Sequence, residues 1–340
     1  MELSFEKIGL TLTAPLTISY HSSTETTNVI IKLSAQGKTG YGEAAPSEKF
    51  GETPETVVAA LDIFKRSLGD DPFQFTEIMT RIEDSLAGSA CAKTAVDLAL
   101  YDLAGKILGV PVYKMLGLDP KKTTDLTYTI GIDSTANMVR HSLEAVKKYK
   151  YLKVKLGCDW DAEIIKAIAK EVPQAIIRAD VNGGWEARHA IRMVNDVLAP
   201  NGVEFIEQPL HQDDLRGLAL LYQHSHLPIV LDESIGVMDD IIAHKDITDG
   251  VNIKLMKCGG ITAALKMIHT ARALGLKVML GCRIETSLAI TAGVHLTPLA
   301  DYADLDLHLM LSHDPFLGAT IDPAGKWVLP DGPGLGVVPR

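Results

Sequence analysis

The chain has 340 residues, 46% of them hydrophobic, 22% charged and 6% aromatic, with 43 acidic against 33 basic side chains for a net charge of −10. Such a chain can bury a large core, is neither disordered nor fibrous, and offers no basic stripe for nucleic acid. No apolar run is long enough to span a membrane, and the first residues lack the blocks of a signal peptide, so a cytoplasmic location is expected.

In chain order, Thr27–Ser34 is rich in β-branched residues and predicts a strand. Thr53 followed by Pro54 predicts the cap and first turn of a helix that stops at Gly69. The Ala- and Leu-rich stretch Ala90–Leu108, free of proline and followed by Gly109 and Pro111, predicts another. Residues 1–117 read as an α+β capping domain, and GLDPKKTT from Gly117 reads as a linker. Residues 124–320 then repeat a short apolar strand, a polar turn and an amphipathic helix. The strands are expected at Leu126–Ile132, Leu152–Leu156, Ala175–Asp180, Val203–Glu207, Pro228–Asp232, Val251–Leu255, Leu276–Gly281 and Tyr302–His308. Helical text such as Asp161–Glu171, Glu186–Leu198, Ile261–Leu274 and Thr286–Leu296 fills the gaps, which requires parallel pairing, and eight such strands close most simply as a barrel. Residues 321–340 read as a segment returning to the cap. The four cysteines, Cys91, Cys158, Cys258 and Cys282, form no CxxC pair and are expected as free thiols.

Lys155, Asp180, Glu207, Asp232 and Lys257 fall at or just past the ends of the second to sixth strands, 25, 27, 25 and 25 residues apart. In a barrel those ends form one mouth, where the active site sits. Any one of the acids alone could cap a helix or pair with a lysine. Three on adjacent strands repel one another unless a cation sits among them, and oxygen-only ligation without His or Cys favours Mg²⁺ over zinc. Lys153 and Lys155 are two apart on one strand and point to the same side, and Lys257 comes from across the barrel. Lys153 reads either as an ion-pair partner, with Asp180 for example, or as a substrate contact. A metal between two lysines suits removal of a proton from a carbon next to a carboxylate and its return to the opposite face. At an effective dielectric of about 20, a dication about 4 Å away favours the added negative charge by roughly 8 kcal/mol.

KVK at Lys153–Lys155, DVNGGW from Asp180, EFIEQP around Glu207, LDES at Asp232 and NIKLMKCGG containing Lys257 resemble the enolase superfamily, muconate-lactonizing-enzyme subgroup. The likeness extends to GVPVYKMLG near residues 109–117 and PGLGV near the end. It implies a modified TIM barrel, (β/α)7β, with an N-terminal α+β capping domain. It makes Asp180, Glu207 and Asp232 the Mg²⁺ ligands, Lys155 and Lys257 the paired acid/base groups, and Lys153 a contact to the substrate carboxylate. Cycloisomerases, o-succinylbenzoate synthases and N-acylamino acid racemases share these motifs, so they imply a mechanism and leave the substrate open.

Asp304-Leu305-Asp306 resembles the DxD of the dipeptide epimerases in that subgroup, which holds the α-ammonium of a dipeptide. Two acids suit an amine and oppose muconate or an N-succinyl group. GCRIET, with Cys282 and Arg283, and TIGI at Thr129 also resemble the epimerase pattern and imply peptide contacts. No Lys or Arg occurs from Ile8 to Ile31, where members acting on Ala-Glu carry a basic residue. The loop offers Tyr20 and His21 instead, and Arg283 could compensate from the barrel side. The expectation is an isomerase: a Mg²⁺-dependent dipeptide epimerase, assembled as a homo-oligomer, that inverts the α-carbon of the C-terminal residue by two-base proton transfer through an enediolate. Neutral or hydrophobic dipeptides are expected rather than strictly Ala-Glu. The competing readings are an N-acylamino acid racemase or o-succinylbenzoate synthase, whose substrates lack a free amine, a Schiff-base barrel, and a barrel that binds a metal or anion without catalysis.

Overall fold

A computed structural model describes residues 1–340. The chain begins with β1 (Glu2–Ile18), β2 (His21–Ala35) and β3 (Lys38–Ala44), paired antiparallel in sequence order. Only the inner part of β2 is evident in the sequence, because β1 is covered on one face alone: buried Leu10 and Leu12 alternate with exposed Thr11 and Thr13, and the polar residues dilute its pattern.

Helix α1 (Pro54–Phe64) starts where Thr53 and Thr56 cap each other reciprocally, through N–H···Oγ1 bonds of 2.9 and 3.3 Å. After α2 (Phe75–Ser85) comes α3 (Ala90–Leu108), buried on every side through most of its length, which explains its small, apolar, weakly sided sequence. One apolar core runs without a break from β2 through α3 into the second part of the chain.

That second part is a ring of eight parallel strands in sequence order: β4 (Thr127–Ile130), β5 (Tyr151–Lys155), β6 (Ile176–Asp180), β7 (Ile206–Glu207), β8 (Ile229–Leu231), β9 (Gly250–Lys254), β10 (Lys277–Gly281) and β11 (Tyr302–Asp304). The seam between β11 and β4 is held by a side chain: Asp306 accepts the Thr129 N–H at 2.6 Å and its hydroxyl at 3.1 Å. The floor is plugged by Arg178, which pairs with Glu204 at 2.6 Å and lies over the rings of Tyr151 and Tyr302. No helix is long and apolar enough to cross a membrane.

Two expected elements are corrected. The eighth strand ends at Asp304 rather than His308, and a 3₁₀ turn over Leu307–Met310 follows, because Asp306 turns its carboxylate to the β4 backbone instead of extending the ladder. The helix expected over Glu186–Leu198 is α-helical only from Ala187 to Met193 and widens into a π turn over Val194–Leu198.

The C-terminal residues fold back onto α3, where the Leu335 N–H reaches Asp102 Oδ1 at 2.8 Å. His295 joins the same region: Nδ1 accepts the Tyr113 N–H at 3.2 Å, which leaves Nε2–H to donate to Leu335 O at 3.1 Å. Burial pushes the His295 pKa down to about 4 from its ordinary value of 6.5. Between those values the unfolded chain takes up a proton that the folded chain refuses, so this contribution is intact above pH 6.5 and declines toward pH 4 by about 3 kcal/mol. Urea midpoints of wild type and His295→Gln, whose amide does not titrate, are therefore expected to converge as the pH falls from 7 to 4. Midpoints that stay parallel would contradict the burial argument.

Candidate active site

Strand register gathers the chemistry. Lys155, Asp180 and Glu207 are partners across β5, β6 and β7, and Lys254, Gly281 and Asp304 are partners across β9, β10 and β11. Paired residues in a sheet share a face, so both rows point inward at the C-terminal mouth. Gly281 supplies room in its row: a Cβ there would lie 2.5 Å from Asn252 Oδ1 and 2.8 Å from Asp304 Oδ1. Asp232 follows β8, its N–H fixed by Gln208 Oε1 at 3.0 Å. Asn182 and Gln208, just past Asp180 and Glu207, hold φ of +49° and +34°, backbone strain placed at the mouth.

The acids converge around amines. Lys153 Nζ touches Asp304, lies 2.7 Å from Glu207 Oε2 and 3.0 Å from Asp180 Oδ2. Lys155 donates to Asp180 Oδ2 at 2.6 Å and to Asn182 Oδ1 at 3.2 Å. Lys254 and Lys257 take the two oxygens of Asp232, at 2.7 and 2.6 Å. Ammonium groups thus hold the acid oxygens, and no three His, Cys, Asp or Glu side chains stand in ligating geometry by themselves.

The charges are unequal. Burial would raise the Asp180 carboxyl, but Lys153 and Lys155 outweigh it and hold its pKa at about 2. Lys254 and Lys257 likewise overcome burial and hold Asp232 well below the usual carboxylate range. At Glu207, burial and then Asp180 win, and its pKa rises to about 8. Glu207 Oε2 is buried near the Lys153 nitrogen yet off the direction a hydrogen bond needs, and so is unbonded. A buried, oxygen-only trio with an orphaned carboxylate oxygen fits a hard divalent cation.

The other residues singled out in the sequence divide. Asp304, Asp306, Thr129, Cys282 and Arg283 all line one cavity of about 670 Å³, beside Lys153, Lys155, Asp232 and Lys257. Asp304 Oδ1 is buried without a hydrogen-bond partner. Both oxygens of Asp306 are spent on Thr129, and its pKa is pushed up to about 6 by burial and secondarily by Asp304. Cys282 donates to Asp304 O at 3.2 Å. Arg283 is turned to the cap: Nη1 donates to Ala45 O at 2.9 Å and its guanidinium covers the Phe50 ring.

Two cavity lysines, Lys254 and Lys49, go unnoticed in the sequence. Lys254 was masked by Lys257, three residues on. Its signal is parity: Asn252 donates to Glu207 Oε1 at 2.8 Å inside the barrel, so Lys254, two residues later on β9, faces inward as well. Lys257 belongs instead to the short helix Leu255–Cys258. Its ammonium also donates to Asp232 O and, at 3.3 Å, to Asn252 O. Lys49 reaches the cavity from the 3₁₀ turn Glu48–Phe50 after β3, 3.8 Å over the Tyr20 ring and 3.5 Å from Glu233.

Residues 3–117 match the family model for the mandelate racemase/muconate lactonizing enzyme N-terminal domain, and residues 137–340 match the enolase C-terminal domain-like model. The chain is 40% identical to an L-Ala-D/L-Glu epimerase of Bacteroides thetaiotaomicron, over 99% of this chain and 88% of the relative. It is 38% identical to a hydrophobic dipeptide epimerase of Roseobacter litoralis, over 99% of each chain. Among solved structures, a dipeptide epimerase of Cytophaga hutchinsonii complexed with Mg and D-Ala-L-Val superimposes with a TM-score of 0.94 at 29% identity, covering 99% of this chain and 95% of that one. With a capped parallel barrel, acids and lysines aligned at its mouth, and matches along nearly its whole length, the chain belongs to the mandelate racemase/muconate-lactonizing-enzyme family of the enolase superfamily.

Proposed function

We propose that the protein is a Mg²⁺-dependent dipeptide epimerase whose two bases are Lys155 and Lys254. The observation that carries this reading is their placement: they end the second and sixth of eight strands, half a ring apart, with the acid trio beside them. Two amines on opposite sides of one carbon are what inversion needs, since each face must be able to lose and regain a proton. Lys254 is favoured over Lys257 because Lys257 spends N–H bonds on main-chain oxygens. Burial lowers the Lys257 pKa, but its ammonium, although at the cavity wall, is committed to Asp232 and to the main chain.

Asp180, Glu207 and Asp232 would hold the metal. Mg²⁺ held there would supply Lewis-acid stabilisation of the charge that develops beside a substrate carboxylate. Lys153 anchors that carboxylate. The free Oδ1 of Asp304 is suited to the substrate ammonium, with Asp306 behind it held in place by Thr129. A cation there also offsets the burial that raises the Asp306 carboxyl. Leu16, Ile18, Ile284 and Leu307 line the cavity, and Lys49 is already engaged by Glu233 and Tyr20. This wall supports neutral or hydrophobic side chains over a strict Ala-Glu preference. In D₂O with Mg²⁺, Ala-Leu and Ala-Phe are expected to exchange and invert their C-terminal α-hydrogen at least as fast as Ala-Glu. N-succinyl amino acids, which lack the amine, are expected to react at least about 100-fold more slowly. Exchange with the N-succinyl compounds alone would reject the assignment.

A further inference from the structure

The cap helix α3, buried through most of its length, also grips the turn that follows one of the two proposed bases. Cys91, Thr94 and Asp97 follow one another at three-residue steps and so share a face of α3. That face meets the turn leading out of β9. The Thr94 hydroxyl lies 2.6 Å from the carbonyl oxygen of Leu255, the residue directly after Lys254; its other acceptor, Ala90 O, is 2.8 Å away. Cys91 Sγ donates to Met256 O at 3.3 Å. Asp97 accepts the Thr262 N–H at 3.0 Å and its hydroxyl at 2.5 Å. The turn is pressed against this face: Gly260 has φ +106°, and a Cβ on it would lie 2.5 Å from Asp97 Oδ2. Cys91, Thr94 and Asp97 are fully buried. At the other base the cap's hold is slighter: Lys155 is bonded by Asp180 and Asn182, both of the barrel, and the cap reaches that end through Ser19, which packs on Gly157 and donates to Asn182 O at 3.4 Å.

We infer that α3 is a positioning element of the reaction: through Thr94 and Asp97 it fixes the turn Leu255–Thr262, and with it the place of Lys254 against the substrate carbon, while leaving Lys155 untouched. The inference rests on the reading of Lys254 as a base. It predicts an asymmetry that a merely structural role would not produce. Loosening the grip weakens proton transfer on one face of the substrate and spares the other.

The test is the initial rate of α-hydrogen exchange in D₂O, measured separately for the two epimers of one dipeptide. Lys254→Ala first identifies the epimer that Lys254 deprotonates, because its exchange stops in that variant. Thr94→Val, nearly isosteric, and Asp97→Asn are then expected to slow exchange of that epimer by about 10- to 100-fold and to leave the other within about twofold. Thr94→Ser, which keeps the hydroxyl, is expected to restore both rates. Should Asp97→Asn fail to fold, Thr94→Val still decides the matter. Equal slowing of both epimers, or slowing of neither, overturns the positioning role while the two-base function stands. Absence of exchange in the wild type overturns the function and this inference together.

Discussion

Alanine at Lys155 and alanine at Lys254 are each expected to abolish inversion while sparing opposite halves of the exchange reaction. Inversion uses one lysine to take the proton and the other to deliver one, so losing either closes the route by about 10³-fold or more, at the upper range of general acid–base effects. Exchange without inversion needs only one lysine, which removes the α-hydrogen and returns deuterium to the same face. Each variant therefore keeps exchange of one epimer and loses that of the other, in mirror fashion. Lys257→Ala supplies the contrast. It removes a bond to Asp232 Oδ1 and two to main-chain oxygens, so both epimers should slow together. Proton NMR of the α-position, read for each epimer, checks all three variants at once. If Lys257→Ala gave the one-sided pattern and Lys254→Ala the even one, the bases would have to be exchanged.

The second large effect concerns the acid trio. Chelation of divalent cations is expected to suppress α-hydrogen exchange by about 10³-fold or more, and added Mg²⁺ to restore it, because the negative charge beside the substrate carboxylate then loses its principal stabilisation. A readout independent of activity comes from stability. A ligand at about 100 times its dissociation constant raises folding stability by about 2.7 kcal/mol. The thermal midpoint of the wild type should therefore rise by a few degrees with Mg²⁺. Asp232→Asn removes one donor charge and frees the Lys254 and Lys257 ammonium groups next to the site, so its midpoint should not respond to Mg²⁺. Glu207→Gln should also lose the response, although its stability without metal should be close to wild type or better at neutral pH. The amide carries no charge to desolvate, whereas the Glu207 carboxyl is already pushed up to about 8 by burial and by Asp180. An equal Mg²⁺ shift in wild type and both variants would place the ion elsewhere.

The barrel strands and the acids at their ends were readable because periodicity 2, repeated helices and polar residues at strand ends are local properties of the chain. Lys153, Lys155, Asp180, Glu207 and Asp232 all reach the mouth from the positions their spacing gives them. The same 25-residue spacing singles out Lys257 and passes over Lys254. Both lie near the end of one strand, and whether the chain extends to residue 254 or 257 before turning into a helix depends on the Gly259-Gly260 turn docking against α3. Asp304 and Asp306 differ for a similar reason, since the strand stops between them and Asp306 serves the β4 seam.

What the amino-acid sequence by itself determined was the parallel barrel, its order of elements and the chemistry gathered at its mouth, because these follow from hydrophobic pattern and residue type along the chain. The tertiary structure alone decided which lysine ends a barrel strand and which belongs to the short helix after it, that Arg283 serves the cap, that Lys49 is held by Tyr20 and Glu233, and that α3 hydrogen-bonds the turn after β9. Each of these is a contact between segments far apart in sequence. Its direction is set by packing and hydrogen bonding across the cap–barrel boundary, which local pattern does not encode.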